Sequence, residues 1–216
     1  MTDAAVAASG LAAEVTGSID AEVRLLAAVA YGEGSTADVE EELAGIAHAV
    51  ANRCKAWDKT VAEIIRVDSG YTYAANGKCV RFNQLKAAGL DEINKNGGMR
   101  IAVNAARQAL AGEGSDPSNG AYWWDGYDLK DKKQSNMRIL RGFKYGDPSH
   151  NIFGMQPILV PVTLYWQAVN KNGDVVNTKV RGSFDCAYVS KAAHGGTIFW
   201  RYNPDYVKAS GTKEFK

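Results

Sequence analysis

The apolar pattern changes period once along the chain, near Pro157, and that change does most to limit what the chain can fold into. Before it, hydrophobic residues recur at three- and four-residue steps, the spacing that lines one face of an α-helix. After it they fall into short β-branched and aromatic runs on either side of Asn172-Gly173, the dipeptide best suited to a hairpin turn. The expected class is α+β, a mainly helical body followed by a smaller β-rich C-terminal extension.

Within the body, Asp20 reads as the N-cap of a helix whose apolar face is Val23, Leu26, Ala27, Ala30 and Tyr31, ended by Gly32 and Gly34. A second helix carries Leu43, Ile46, Ala47, Val50 and Cys54 on one stripe, with Glu40 and Glu41 at its dipole-favoured start. Thr60-Val-Ala-Glu63 is a capping-box pattern leading into Ile64 and Ile65. Asp68 to Leu90, rich in Gly, Asn and Tyr, reads as a long loop holding at most a short hairpin. The fourth helix is the clearest, with Met99, Ala102, Val103, Ala106 and Leu110 on one face and Gly112 to stop it. In the extension, Val160 to Trp166, Val175 to Val180 and Thr197 to Trp200 read as strands. The expected division is a flexible arm over 1–18, a catalytic body over 19–156, and a β-rich extension over 157–216 packed on it.

Bulk properties exclude several classes. Basic and acidic residues nearly cancel, 25 against 24, so there is no overall electrostatic footprint for nucleic acid. The longest apolar run, Ile158 to Trp166, is broken by Pro161 and Thr163 and falls far short of the roughly 20 residues that span a bilayer, so no membrane partner is expected. Met1 to Asp20 holds no Lys or Arg and no continuous apolar stretch, and so lacks the marks of a classical secretory signal. Cys54, Cys79 and Cys186 have no metal-ligand spacing, and no metal or organic cofactor is expected. They read as plain thiols, a Cys54–Cys79 bridge being the alternative.

Cleaving a glycosidic bond needs a carboxyl group still protonated near neutral pH, so that the leaving oxygen departs as an alcohol. Glu33 suits that task. It follows an apolar helix, where the dipole and partial burial disfavour its charged form, and the glycines beside it leave room for a sugar. The competing reading is a polar residue in a Gly-rich turn.

The surrounding segments resemble the SleB/CwlJ family of cell-wall hydrolases over roughly Leu26 to Phe153. Leu26-Ala-Ala-Val-Ala-Tyr-Gly-Glu33 is similar to the family's opening helix with its catalytic glutamate, and Gly45-Ile-Ala-His-Ala-Val-Ala-Asn52-Arg53 to its second helix. Arg81-Phe82-Asn83 falls where the family has a substrate-loop aromatic. Asp116-Pro-Ser-Asn-Gly-Ala121-Tyr-Trp resembles its Asp-Pro-Thr-Gly-Gly-Ala stretch, and His150-Asn-Ile-Phe153 its closing His-x-Phe. The resemblance implies a lysozyme-like helical fold and lytic transglycosylase or muramidase activity on peptidoglycan, with Glu33 as general acid and base. The chain departs from the family pattern in an acidic insertion, Ala37 to Glu42, and in its long β-rich tail.

On this basis Asn52, Tyr71, Phe82, Tyr122, Trp123 and Asp116 are the candidate substrate contacts, the aromatics offering faces on which sugar rings stack. Each has a structural alternative: a helix cap for Asn52, core packing for the aromatics, a backbone turn for Asp116 before Pro117. Arg53 stands with Asn52. Asp116 and Asp125 are the candidates for a second carboxylate; without one, a single-carboxylate route to a 1,6-anhydro product is favoured. His48 and His194 read as structural, and His150 has a motif match without an assigned role. The expected function is peptidoglycan glycan-strand cleavage, against a chitinase-like polysaccharide hydrolase or a non-catalytic glycan-binding module. The expected setting is synthesis in the cytoplasm and action in the periplasm or cell wall after non-classical delivery, as an antibacterial toxin whose β-rich tail docks a secretion apparatus or an immunity protein.

Overall fold

A computed structural model describes residues 10–68, 77–131 and 135–215. Helix α1 (Ala21–Glu33) opens as expected: the Asp20 carboxylate accepts from Val23 N–H at 2.8 Å. Every residue from Leu26 to Tyr31 is buried, so α1 is a central helix covered on all sides rather than an amphipathic one. Around it lie α2 (Glu40–Trp57), α3 (Val61–Val67) with its Thr60–Glu63 capping box, α4 (Val80–Ala87), α5 (Leu90–Lys95) and α6 (Gly97–Ala111). Gly112 ends α6 in the left-handed region at φ +70°, as the sequence predicts.

Two sequence expectations are corrected here. The stretch read as loop between Asp68 and Leu90 contains α4, which buries only Phe82 and Leu85 and leaves Val80 exposed. Two apolar contacts give too weak a period to read; the helix forms because it docks on α1. The second concerns residues 11–18, which are held against the body and not loose. Val15 is 1% exposed, and the Asn94 side chain brackets it, accepting from its N–H at 2.8 Å and donating to its carbonyl at 3.0 Å. Arg100, Asn104 and Arg107 along α6 donate to backbone carbonyls between Leu11 and Ser18.

A four-stranded sheet has the order β1-β6-β5-β2, built from β1 (Trp123–Asp125), β2 (Phe143–Lys144), β5 (Tyr188–His194) and β6 (Thr197–Tyr202). It draws strands from both sides of residue 157. Trp123 pairs with Trp200 in antiparallel register, and Phe143 with Tyr188 in parallel register. The period-two alternation sends Phe199 into the helical core and Ile198, Trp200 and Tyr202 into a second core with Leu129, Phe143 and Tyr188. The sheet is thus a partition between two apolar cores.

The expected Asn172-Gly173 turn joins β3 (Val162–Val169) to β4 (Val175–Phe184), with Gly173 at φ +87°. Two short helices, α7 (Met137–Arg141) and α8 (Pro204–Ser210), complete the fold, α8 covering part of β4 through Ala209 against Gly182. Most of the β3–β4 hairpin is exposed, Trp166 and Val180 included.

Helix α2 meets the partition at Gly45. A Cβ there would stand 2.5 Å from Phe199 Cζ. Gly→Ala within a helix ordinarily stabilises by about 1 kcal/mol, whereas overpacking a rigid core costs about 1–3 kcal/mol. Gly45→Ala is therefore expected to lower the unfolding free energy by about 1 kcal/mol, and Phe199→Leu in the same chain to recover part of that loss. Denaturant unfolding of the two single variants and the double variant checks this; a stabilised Gly45→Ala would mean that the Phe199 ring yields freely.

Candidate functional site

Glu33 is the last residue of α1, half-buried, with Oε1 shielded from solvent. The glycines beside it do not leave room for a sugar, as the sequence reading had it. A Cβ on Gly32 would lie 3.0 Å from Phe82 Cβ and 3.1 Å from Cys79 Sγ, and one on Gly34 2.4 Å from Leu43 Cδ2. They are small because α4 and α2 close on this turn.

Arg81 locks the same turn. Its Nε donates to the Tyr31 carbonyl at 2.7 Å and its Nη1 to the Ser35 carbonyl at 3.1 Å, while Nη2 pairs with Asp38 and the guanidinium lies 3.9 Å from the Tyr31 ring centroid. A cation at a helix C-terminus satisfies exposed carbonyls and opposes the dipole.

Glu42 is the acidic residue the sequence reading missed. It is 1% exposed and accepts from Ser35 N–H and Oγ–H on the α1–α2 loop, from Gly196 N–H at 3.0 Å and from Thr197 Oγ1 at 2.7 Å. One carboxylate thereby fastens the turn after Glu33 to the β5–β6 hairpin. The readable signal was its position, since Glu42, Ile46, Ala49 and Arg53 share one helical face and all four are buried.

The other candidates fall elsewhere. Phe82 is 4% exposed and packs on Gly32, so it is a core residue and not a stacking face for sugar. Tyr71 lies outside the described residues. Tyr122 is half-buried beneath the Arg201 guanidinium, 4.9 Å from its ring centroid. Trp123 is enclosed by Tyr188, Tyr202, Arg53 and Arg138, all within 6 Å of its ring, and belongs with the second core. Asp125 pairs with Arg138 at 2.9 Å.

Asn52 and Asp116 do come together. The Asn52 amide donates to Asp116 Oδ2 at 2.9 Å and to the Ala121 carbonyl at 3.2 Å, and Ser118 N–H and Gly120 N–H also donate to Asp116. The carboxylate thus organises its own turn, as the structural alternative held, and Asn52 ties that turn to α2. His194 Nε2 meets the Pro117 carbonyl at 3.0 Å from the β5 side. Burial raises the Asp116 carboxyl's pKa, but the hydrogen bonds from Ser118, Asn52 and Gly120 outweigh it and hold the group below the usual carboxylate range.

Asn52 and Asp116 border a cavity of about 760 Å³, lined also by His48, Glu22, Asp58 and Glu63. It is not at Glu33. Glu22 and Glu33 lie at opposite ends of α1, eleven residues apart, or about 16 Å along the axis. His48 is held neutral, burial lowering its pKa more than nearby Asp116 raises it. All three cysteines are free and buried, which removes the Cys54–Cys79 bridge; burial raises the Cys54 thiol to about 11. Among the described residues, no group of His, Cys, Asp or Glu is arranged to hold a metal ion, and no helix is long and apolar enough to cross a membrane.

No protein-family model matches this sequence, and comparison with curated proteins and with solved structures returns no match.

Two outcomes follow for stability. Glu42→Gln presents an amide nitrogen to backbone and hydroxyl donors, and is expected to cost about 2–3 kcal/mol in chemical denaturation, with faster hydrogen exchange at Gly196 N–H; unchanged stability would show the clamp to be dispensable. For His48, the folded pKa lies below the unfolded value near 6.5, so its contribution is complete above that pH and is lost as pH falls. His150, also lowered by burial, acts in the same window. Melting curves from pH 7.5 to pH 5 should show a smaller acid-induced loss in His48→Gln than in wild type.

Proposed function

We propose that the chain cleaves peptidoglycan glycan strands at the bond between muramic acid and glucosamine, with Glu33 as general acid and base on a lysozyme-like helical body. The observation that carries this reading is the place of Glu33: it ends a helix buried along six consecutive residues, with one carboxylate oxygen shielded from water. A carboxyl group at this place is suited to hand a proton to a leaving oxygen and to take one back. The resemblance to SleB/CwlJ hydrolases supports the same assignment, since its catalytic glutamate falls on this residue. Arg81 and Glu42 would hold the turn while the carboxyl exchanges its proton.

The chemistry needs a single carboxylate. Glu33 gives its proton to the glycosidic oxygen as the bond to C1 breaks. The resulting carboxylate then takes the proton of the muramyl 6-hydroxyl as that oxygen bonds to C1, leaving a 1,6-anhydro end and a restored acid. Asp116 and Asp125 are held in other contacts, which supports this route over a two-carboxylate muramidase. Action lies in the periplasm or cell wall. In a delivered antibacterial toxin, the exposed β3–β4 hairpin is the surface offered to a secretion apparatus or an immunity protein.

Glu33→Gln is expected to keep its thermal midpoint and its pull-down by insoluble sacculi, while product release falls about 10²–10⁴-fold. Mass spectrometry of wild-type products should show 1,6-anhydromuramic ends. Release at the wild-type rate by the folded variant would remove Glu33 from the mechanism, and reducing ends throughout would indicate a muramidase. Cleavage of chitin oligomers in place of sacculi would favour the chitinase-like alternative, and binding without product the glycan-binding module.

A further inference from the structure

The cavity bounded by α2, the start of α3 and the end of α6 lies at the far end of α1 from Glu33 and takes no part in the proposed cleavage. At about 760 Å³ it is large enough for a small organic molecule. Its wall is acidic. Glu22, Asp58, Glu63, Glu113 and Asp116 line it, against Lys55 and Lys59. Two helix C-termini also border it, α2 at Asp58 and α6 at Ala109 to Gly112, and each places roughly half a negative charge there.

A second observation does not depend on that charge. His48 lines the cavity, is only 7% exposed, and has no hydrogen-bond partner among the described residues; Asp116 Oδ1 stands 4.0 Å from its Nδ1, an ion-pair contact when the ring is protonated and beyond hydrogen-bonding reach. Its ring nitrogens are not sealed from solvent, so the imidazole is uncommitted within the protein and open to whatever occupies the cavity it lines.

We propose that this cavity binds a small organic cation bearing a primary ammonium group, with one ammonium N–H donating a hydrogen bond to a His48 ring nitrogen and Asp116 supplying the adjacent charge. The wall repels anions, and it offers few donors for a neutral acceptor-rich ligand. Burial keeps His48 neutral, so that one ring nitrogen can accept. The same ammonium chemistry occurs in a free polyamine and in an amino sugar that has lost its acetyl group. The site is independent of the Glu33 reading and stands or falls separately.

The test is a titration of the full chain with spermidine and with a fully deacetylated glucosamine tetramer, followed by imidazole proton NMR, the N-acetylated tetramer serving as the uncharged control. The His48 resonance, assigned by its loss in His48→Gln, should move saturably while those of His150 and His194 stay. Response to both probes identifies the ammonium as the recognised group, and response to the tetramer alone identifies an amino-sugar subsite. By calorimetry, His48→Gln should weaken binding at least about tenfold and Asp58→Asn several-fold, with unchanged circular dichroism. The proposal is overturned by silence of His48 up to about 10 mM of either probe, by equal movement of all three histidines, by equal response to the N-acetylated control, or by wild-type affinity in a folded His48→Gln. Should His48→Gln fail to fold, the wild-type titration against the control still decides the matter, with the resonance assigned by distance-dependent transfer to neighbouring α2 protons.

Discussion

A single buried carboxylate joins the two halves of this molecule. Glu42 enters α2 pointing inward, where an unpaired charge would be costly, and it remains because the α1–α2 loop and the β5–β6 turn both direct donors at it. Gly195, at φ +57°, brings the hairpin backbone so close that a Cβ there would meet Glu42 Oε2 at 2.6 Å. The turn that carries Glu33 therefore owes its shape to a hairpin distant in sequence as much as to its own residues.

The parts of the fold legible in the sequence are those settled within a few residues. Asp20, the Thr60–Glu63 box, Gly112 and the Asn172-Gly173 turn each satisfy or release neighbouring backbone groups, and each stands where the sequence puts it. What escaped notice is held by partners far along the chain. Strands β1 and β2 are three and two residues long and exist only as additions to β6 and β5. Helix α4 has two buried side chains and a landing place on α1. The acidic Glu40-Glu-Glu42 start of α2 reads as one dipole-favoured cluster, yet its three members differ completely in surroundings once the sheet arrives.

The candidate site divides in the same way. Position relative to a helix end was readable, so Glu33 emerged; which face of a side chain is covered was not. Phe82, Gly32 and Gly34 look like an open aromatic and two flexible glycines, but together they form a close-packed joint. Asn52 and Asp116 sit 64 residues apart, and their hydrogen bond defines a corner of the cavity no local pattern announces.

The clamp also constrains the order of events during synthesis. Gly196 and Thr197 leave the ribosome 154 and 155 residues after Glu42. Until they do, α2 has no donors from the sheet for its inward carboxylate, and Gly45 faces an empty notch where Phe199 will sit. Consolidation of α2 against the sheet is therefore a long-range event, set by partners more than 150 residues further along the sequence than the helix they hold.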